Sequence, residues 1–134
     1  MDRIDIQKSV HPVDFFGINE KEPAMSSEQI RKRVEGAREI QQKRYADEEG
    51  INCNAQMSTS LIQKYCVLDK PSLELLRAVS EEYGHSARVI HKLLRLARTS
   101  ADLDESENIR LKDVQAVLSC RDLDQSNSKM MVVK

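Results

Sequence analysis

Arg88, Lys92, Arg95 and Arg98 recur at spacings of four, three and three. On an α-helix, at about 100° per residue, they gather within about 120° of the circumference, opposite Ile90, Leu93, Ala97 and Ala101. Such a helix is basic on one face and apolar on the other. Ser86 is placed to cap it, which puts Arg88 in the first turn, where unbonded amides and the positive end of the helix dipole point outward. A cation there costs the isolated helix about a few tenths of a kcal/mol, so its placement suggests use rather than stability. Phosphate is the matching ligand: a planar guanidinium beside helix N-terminal amides offers two hydrogen bonds that a lysine cannot copy. The same stripe also reads as an ordinary solvated outer face, and spacing alone leaves both uses open.

Other chemistry finds less support. His11, His85 and His91 share no metal-ligand spacing with one another or with Cys53, Cys66 and Cys120, so no zinc or other metal site is expected. No nucleophile, base and acid stand together. The chain has no G-x-x-x-x-G-K-[ST] loop to cradle phosphates and no apolar strand ending in paired acids to hold magnesium, so it cannot hydrolyse a nucleotide unaided. Three widely spaced cysteines argue against a disulfide framework and for a reducing setting. The formal net charge of −1 gives no global attraction to nucleic acid. No apolar run is long enough to cross a bilayer and no signal-peptide pattern opens the chain, so a cytoplasmic protein with no membrane partner is expected.

The elements that would position the stripe are helical. With 134 residues, 32% charged, 4% aromatic and no Trp, the chain suits one small domain filled by aliphatic side chains. Ser26 and Gln29 fit a reciprocal capping box, followed by Ile30, Val34, Ala37 and Ile40 on one face up to about Tyr45. The polar run from Ala46 to Asn54 reads as a loop. Ser58 caps a short helix with Leu61, Ile62, Tyr65 and Cys66. Asp69 and Pro71 start a third helix, whose stripe is Leu73, Leu76, Val79 and Tyr83 and whose stop is Gly84. The helix beginning after Ser86 is the fourth. A polar break from Asp104 to Asn108 precedes a fifth, with Val114, Val117 and Leu118. The expected fold class is all-α, a compact bundle of about five helices. Ahead of it, Ile4, Ile6 and Val10 suggest a short strand, followed by the breakers His11-Pro12, Phe15-Phe16-Gly17 and Glu22-Pro23. A lone strand leaves its edges unpaired, so this segment resembles the end of a domain whose sheet is missing.

The run from Gly84 to Leu103 (GHSARVIHKLLRLARTSADL) resembles the S-A-R-x-x-H-[RK]-[IL]-L-R-[VL]-A-R-T-x-A-D-L motif of Mg-chelatase-like AAA+ ATPases. Residues 27 to 34 and Asn54-Ala55-Gln56-Met57 are similar to that family's other lid motifs, and Ile109-Arg110 with Val114 to its closing helix. Met1-Asp2-Arg3-Ile4-Asp5-Ile6 resembles the L-L-D-R-[IF]-D-[IL] segment near the end of the family's ATPase core.

The resemblance, closest to the competence-related branch, implies an organisation. Residues 1–25 would be the end of the ATPase core and a linker, flexible in isolation; 26–125 the C-terminal helical lid; 126–134 a disordered tail. It implies that Arg88 is the second sensor arginine, reading the γ-phosphate of ATP, and that Arg3 is an arginine finger reaching a neighbouring subunit's nucleotide. ATP and Mg2+ would be the cofactors of the full-length protein. The partners would be the chain's own ATPase core, neighbouring subunits of a homo-oligomeric ring, and DNA as the motor's substrate. Lys92, Arg95 and Arg98 would lie at a subunit or nucleotide interface. A competing reading is a free-standing helical nucleic-acid-binding module whose stripe tracks a phosphate backbone; its affinity would fall steeply with salt.

Overall fold

A computed structural model describes residues 4–10, 12 and 24–121. The expected positions of Arg3, of the breakers between residues 13 and 23, and of the tail at 126–134 lie outside them. The described chain folds as α1 (Ser27–Arg44), a 3-10 turn (Asn54–Gln56), α2 (Thr59–Tyr65), α3 (Lys70–Tyr83), α4 (Ala87–Leu103) and α5 (Leu111–Ser119). Among the described residues there is no sheet; extended pairing is confined to the isolated parallel bridges Gln7 to Arg121 and Leu68 to Ile109. The stretch expected as a strand thus makes one bridge, with Ile4, Ile6 and Val10 all exposed.

Local chemistry sets the helix ends. Ser26 Oγ accepts the Gln29 amide at 3.2 Å while Gln29 Oε1 accepts the Ser26 amide at 2.9 Å, which satisfies two end donors reciprocally. Ser58, Asp69 and Ser86 each accept an amide of the first turn they precede. Asp69 is held below the usual carboxylate range by that bond to Ser72. Gly84 stops α3 with φ of 63°, a left-handed conformation that glycine takes without a Cβ clash, and its amide and that of His85 both donate to Ser80 O. The end of α4 uses the same geometry with a different residue. Glu105 sits at φ 55°, its amide donates to Asp102 O, and the Ser106 amide reaches Ala101 O at 2.8 Å.

Helix α4 is the central element, packing against α1, α2, the 3-10 turn and α5, while α3 packs on α5. Val89, Leu93, Ala97 and Ala101 from α4 meet Val114, Val117 and Leu118 from α5, Leu76 from α3, Ile62 and Cys66, and Tyr45 and Met57 in one continuous core. The apolar stripes of α1 and α3 do not bury as periodicity predicts. Ile30, Val34 and Leu73 are each more than two-fifths exposed, whereas Ala37 and Gln41 of α1 are buried. Helical spacing marks a face but not how far a partner reaches along it, and α1 meets α4 through its C-terminal half.

Candidate functional site

The four cations of α4 have different surroundings. Arg88 is exposed and makes no hydrogen bond or salt bridge with any described residue. Beside it, Ser86 Oγ takes the Val89 amide at 3.3 Å and Ser86 O the Ile90 amide at 3.0 Å. Neither bond uses the amides of Ala87 and Arg88, which point along the axis out of the helix end. A guanidinium, two amides and the positive dipole end therefore share one solvent-facing position, a donor set suited to phosphate oxygens.

The other three are drawn inward. Lys92 pairs with Asp5 at 3.0 Å, its side chain only 12% exposed. Arg95 Nη2 donates to Met57 O at 2.7 Å. Arg98 is buried, donating to the carbonyls of Glu107 at 2.9 Å and Ser106 at 2.7 Å and lying 3.1 Å from Asp102 Oδ1. Lys92, Arg95 and Arg98, expected as a basic interface face, are each bonded within the fold. The physical reason is that α4 becomes buried on both sides toward its C-terminal end, where Ala97, Arg98, Ala101 and Asp102 are all enclosed.

Asp102 organises that end, and residue spacing gave no hint of it. Its carboxylate accepts two bonds from Arg44, at 2.8 and 2.6 Å, and one from Asn54 Nδ2 at 2.9 Å, besides facing Arg98. Asn54 in turn accepts from Tyr45 Oη at 2.7 Å and donates through Nδ2 to Thr99 Oγ1 and through its own amide to Gln41 Oε1. The bond to Asp102 raises the Arg44 pKa above its usual value, and burial pushes the Tyr45 hydroxyl up to about 12. One carboxylate thus joins α1, the 3-10 turn and α4. A second cluster fastens α5: Asp113 accepts from Ser100 Oγ and from the backbone and side chain of Arg110, and Arg110 and Lys112 meet Asp104. Those bonds, with Lys112 foremost, lower Asp104 to about 2.

A cleft of about 490 Å3 opens beside this buried end, lined by Ile40, Arg44, Tyr65, Val67 and Arg98 among others. Arg88 is not among its lining residues; its two arginines already hold Asp102, Lys64 pairs with Glu48, and Glu105 and Glu107 add carboxylates rather than cations. Among the described residues no three His, Cys, Asp or Glu side chains converge on a metal position, and no helix is long and apolar enough to cross a membrane.

The motif residues thus separate into one solvent-facing arginine and a set that builds the fold. Residues 24–121 match the model of the family described as magnesium chelatase, subunit ChlI C-terminal. The chain belongs to that family. As a member of the magnesium chelatase C-terminal family it is 32% identical over 126 residues to the uncharacterized protein YifB of Escherichia coli K12, a match spanning 92% of this chain and 24% of that protein. The YifB of Salmonella typhimurium LT2 matches at the same identity and coverage. The competence protein ComM of Haemophilus influenzae is 28% identical over 110 residues, covering 81% of this chain and 21% of ComM. The chain spans about a quarter of the length of these relatives. Within the family motif, Asn54, Arg98 and Asp102 are now seen to be bonded to one another's neighbourhood in the interior, which the resemblance of Asn54-Ala55-Gln56-Met57 to a lid motif had signalled only as a pattern.

Proposed function

We propose that this domain is the lid of an AAA+ ATPase and that Arg88 is its sensor arginine, contacting the γ-phosphate of ATP held by the ATPase core and transmitting nucleotide state to α4. The observation that carries the reading is the contrast within one helix: Arg88 stands exposed at the capped N-terminus, while Lys92, Arg95 and Arg98 are engaged in the fold. The donor set fits a phosphate, since charge, planar geometry and helix-end amides coincide there. Bound ATP supplies a γ-phosphate whose added negative charge is lost on hydrolysis; Arg88 answers to that charge, and the Asp102 junction makes α4, α1 and the 3-10 turn respond together. This domain is not catalytic alone. In the longer protein, ATP and Mg2+ sit on the core, neighbouring subunits complete a homo-oligomeric ring, Arg3 serves as a finger toward the adjoining nucleotide, and the motor acts on DNA. The DNA assignment rests on family likeness and on the competence name of one relative.

Arg88→Ala in the full-length protein should sharply lower ATP turnover while leaving the lid folded; unchanged turnover with an intact fold would overturn the assignment. A free-standing nucleic-acid module is disfavoured by the bonding of three of the four stripe cations. It would require DNA binding by this chain alone with a log–log salt slope near about −0.9 per phosphate contact.

A further inference from the structure

The segment directly after Arg3 is fastened to the far end of the domain. Arg121, only 2% exposed, donates through Nη1 to the carbonyl of Ile4 at 3.0 Å and that of Asp5 at 3.3 Å. The Gln7 amide donates to Cys120 O, which forms the parallel bridge of Gln7 with Arg121. Lys8 Nζ reaches Ser119 O at 3.4 Å. From the other side, Lys92 of α4 holds the Asp5 carboxylate at 3.0 Å. Residues 4–8 are thereby gripped by the end of α5 and the middle of α4, across up to 117 positions of sequence.

We propose that Arg121 and Lys92 are positioning residues: they clamp residues 4–8 to the lid, so that this segment moves with α4 and α5. Two features set this apart from casual docking. A buried arginine uses one of its terminal nitrogens on two carbonyls of an extended segment. The grip also uses the main chain of residues 4, 5 and 7, so it fixes the path of the backbone and not merely one side chain. Gln7 is itself 5% exposed, and its side-chain amide has no hydrogen-bond partner among the described residues. The mechanical meaning, that the finger and the sensor are carried by one body, rests on the reading of Arg3 and Arg88 given above; the clamp itself does not.

Amide hydrogen exchange on the 134-residue chain tests it. The Gln7 amide should exchange more slowly than a free-chain amide. Arg121→Ala should cost it at least about tenfold in protection, the scale of one lost hydrogen bond, while amides in α4 and α5 stay protected. Free-chain exchange at Gln7 in the parent chain, or unaltered protection in Arg121→Ala, would overturn the clamp. If Arg121→Ala does not fold, the charge pair decides: Lys92→Asp should loosen Gln7, and adding Asp5→Lys should restore it. Loosening without restoration would remove Lys92 from the clamp, and no loosening would overturn it. In the intact ATPase, Arg121→Ala that frees Gln7 yet leaves ATP turnover unchanged would keep the clamp and discard the role given to Arg3.

Discussion

At the N-terminal end of α4, Arg88 stands in solvent beside the Ser86 cap; about three turns on, Arg98 lies enclosed against Asp102 and two backbone carbonyls. The two are the same residue type on the same side of the same helix. What separates them is the company their positions keep. Around Arg98, Arg44 from α1 and Asn54 from the 3-10 turn converge on one carboxylate, whereas the Arg88 side chain bonds to no described residue. A charged side chain in a family motif therefore stays in solvent or becomes a fold determinant according to whether a partner exists to satisfy it, and a buried charge without one would cost several kcal/mol.

Breaking the buried end should give the largest effect. Asp102→Ala leaves Arg44, Arg98 and Asn54 without their shared acceptor and should cost about 3–5 kcal/mol, measured by urea or thermal unfolding. Arg88→Ala should stay within about 0.5 kcal/mol of the parent chain. Similar losses for the two would dissolve the contrast.

A smaller effect should come with alkaline pH. Cys66 lies in the same buried region, and desolvation there raises its thiol from 9.0 to about 11. The folded chain keeps this proton while the unfolded chain begins to lose it near pH 9, so the thiol's contribution is whole below pH 9. It declines as pH rises toward about 11, by at most about 3 kcal/mol. Unfolding curves at pH 8 and 10.5 should show the decline, and Cys66→Ala should flatten it. Asp104, by contrast, has a depressed pKa, so its contribution is present above about pH 4 and fades only as pH falls through about 2.

At the exposed end the cap matters more than the cation. Ser86→Ala removes the acceptor of the Val89 amide and should cost about 1 kcal/mol, with faster amide exchange confined to the first turn of α4. That variant, set beside Arg88→Ala, separates loss of the helix end from loss of the guanidinium. Should Ser86→Ala lower ATP turnover of the full-length protein as Arg88→Ala is expected to, the position of Arg88 and not merely its charge would be what the nucleotide reads.

Much of this architecture is written locally. Ser26 with Gln29, Ser58, Asp69 with Pro71, Gly84 and Ser86 each set a helix end through bonds to residues only a few positions away, so they can be read without the rest of the chain. Arg88 was legible for the same reason, because its distance from a cap defines its surroundings. Arg98 and Asp102 were not. Their burial depends on Arg44, 58 positions from Asp102, and on Asn54, 48 away, which no periodicity reports. Ile30, Val34 and Leu73 mislead in the opposite sense, being apolar at helical spacing where no described neighbour covers them fully. The exposed turn after α4 was legible as a polar break, but the left-handed backbone of Glu105 was not, since Glu is not a residue chosen for that conformation.

Glu105 has a further consequence. A side chain with a Cβ at φ 55° holds the end of α4 at a cost of about 1 kcal/mol that a glycine would not incur. Glu105→Gly should therefore raise the unfolding midpoint. The same position amounts to unused mutational tolerance: a chain that relieves it could absorb a mild lesion elsewhere and remain folded, so variants at 105 should act as suppressors of weak defects scattered through the bundle.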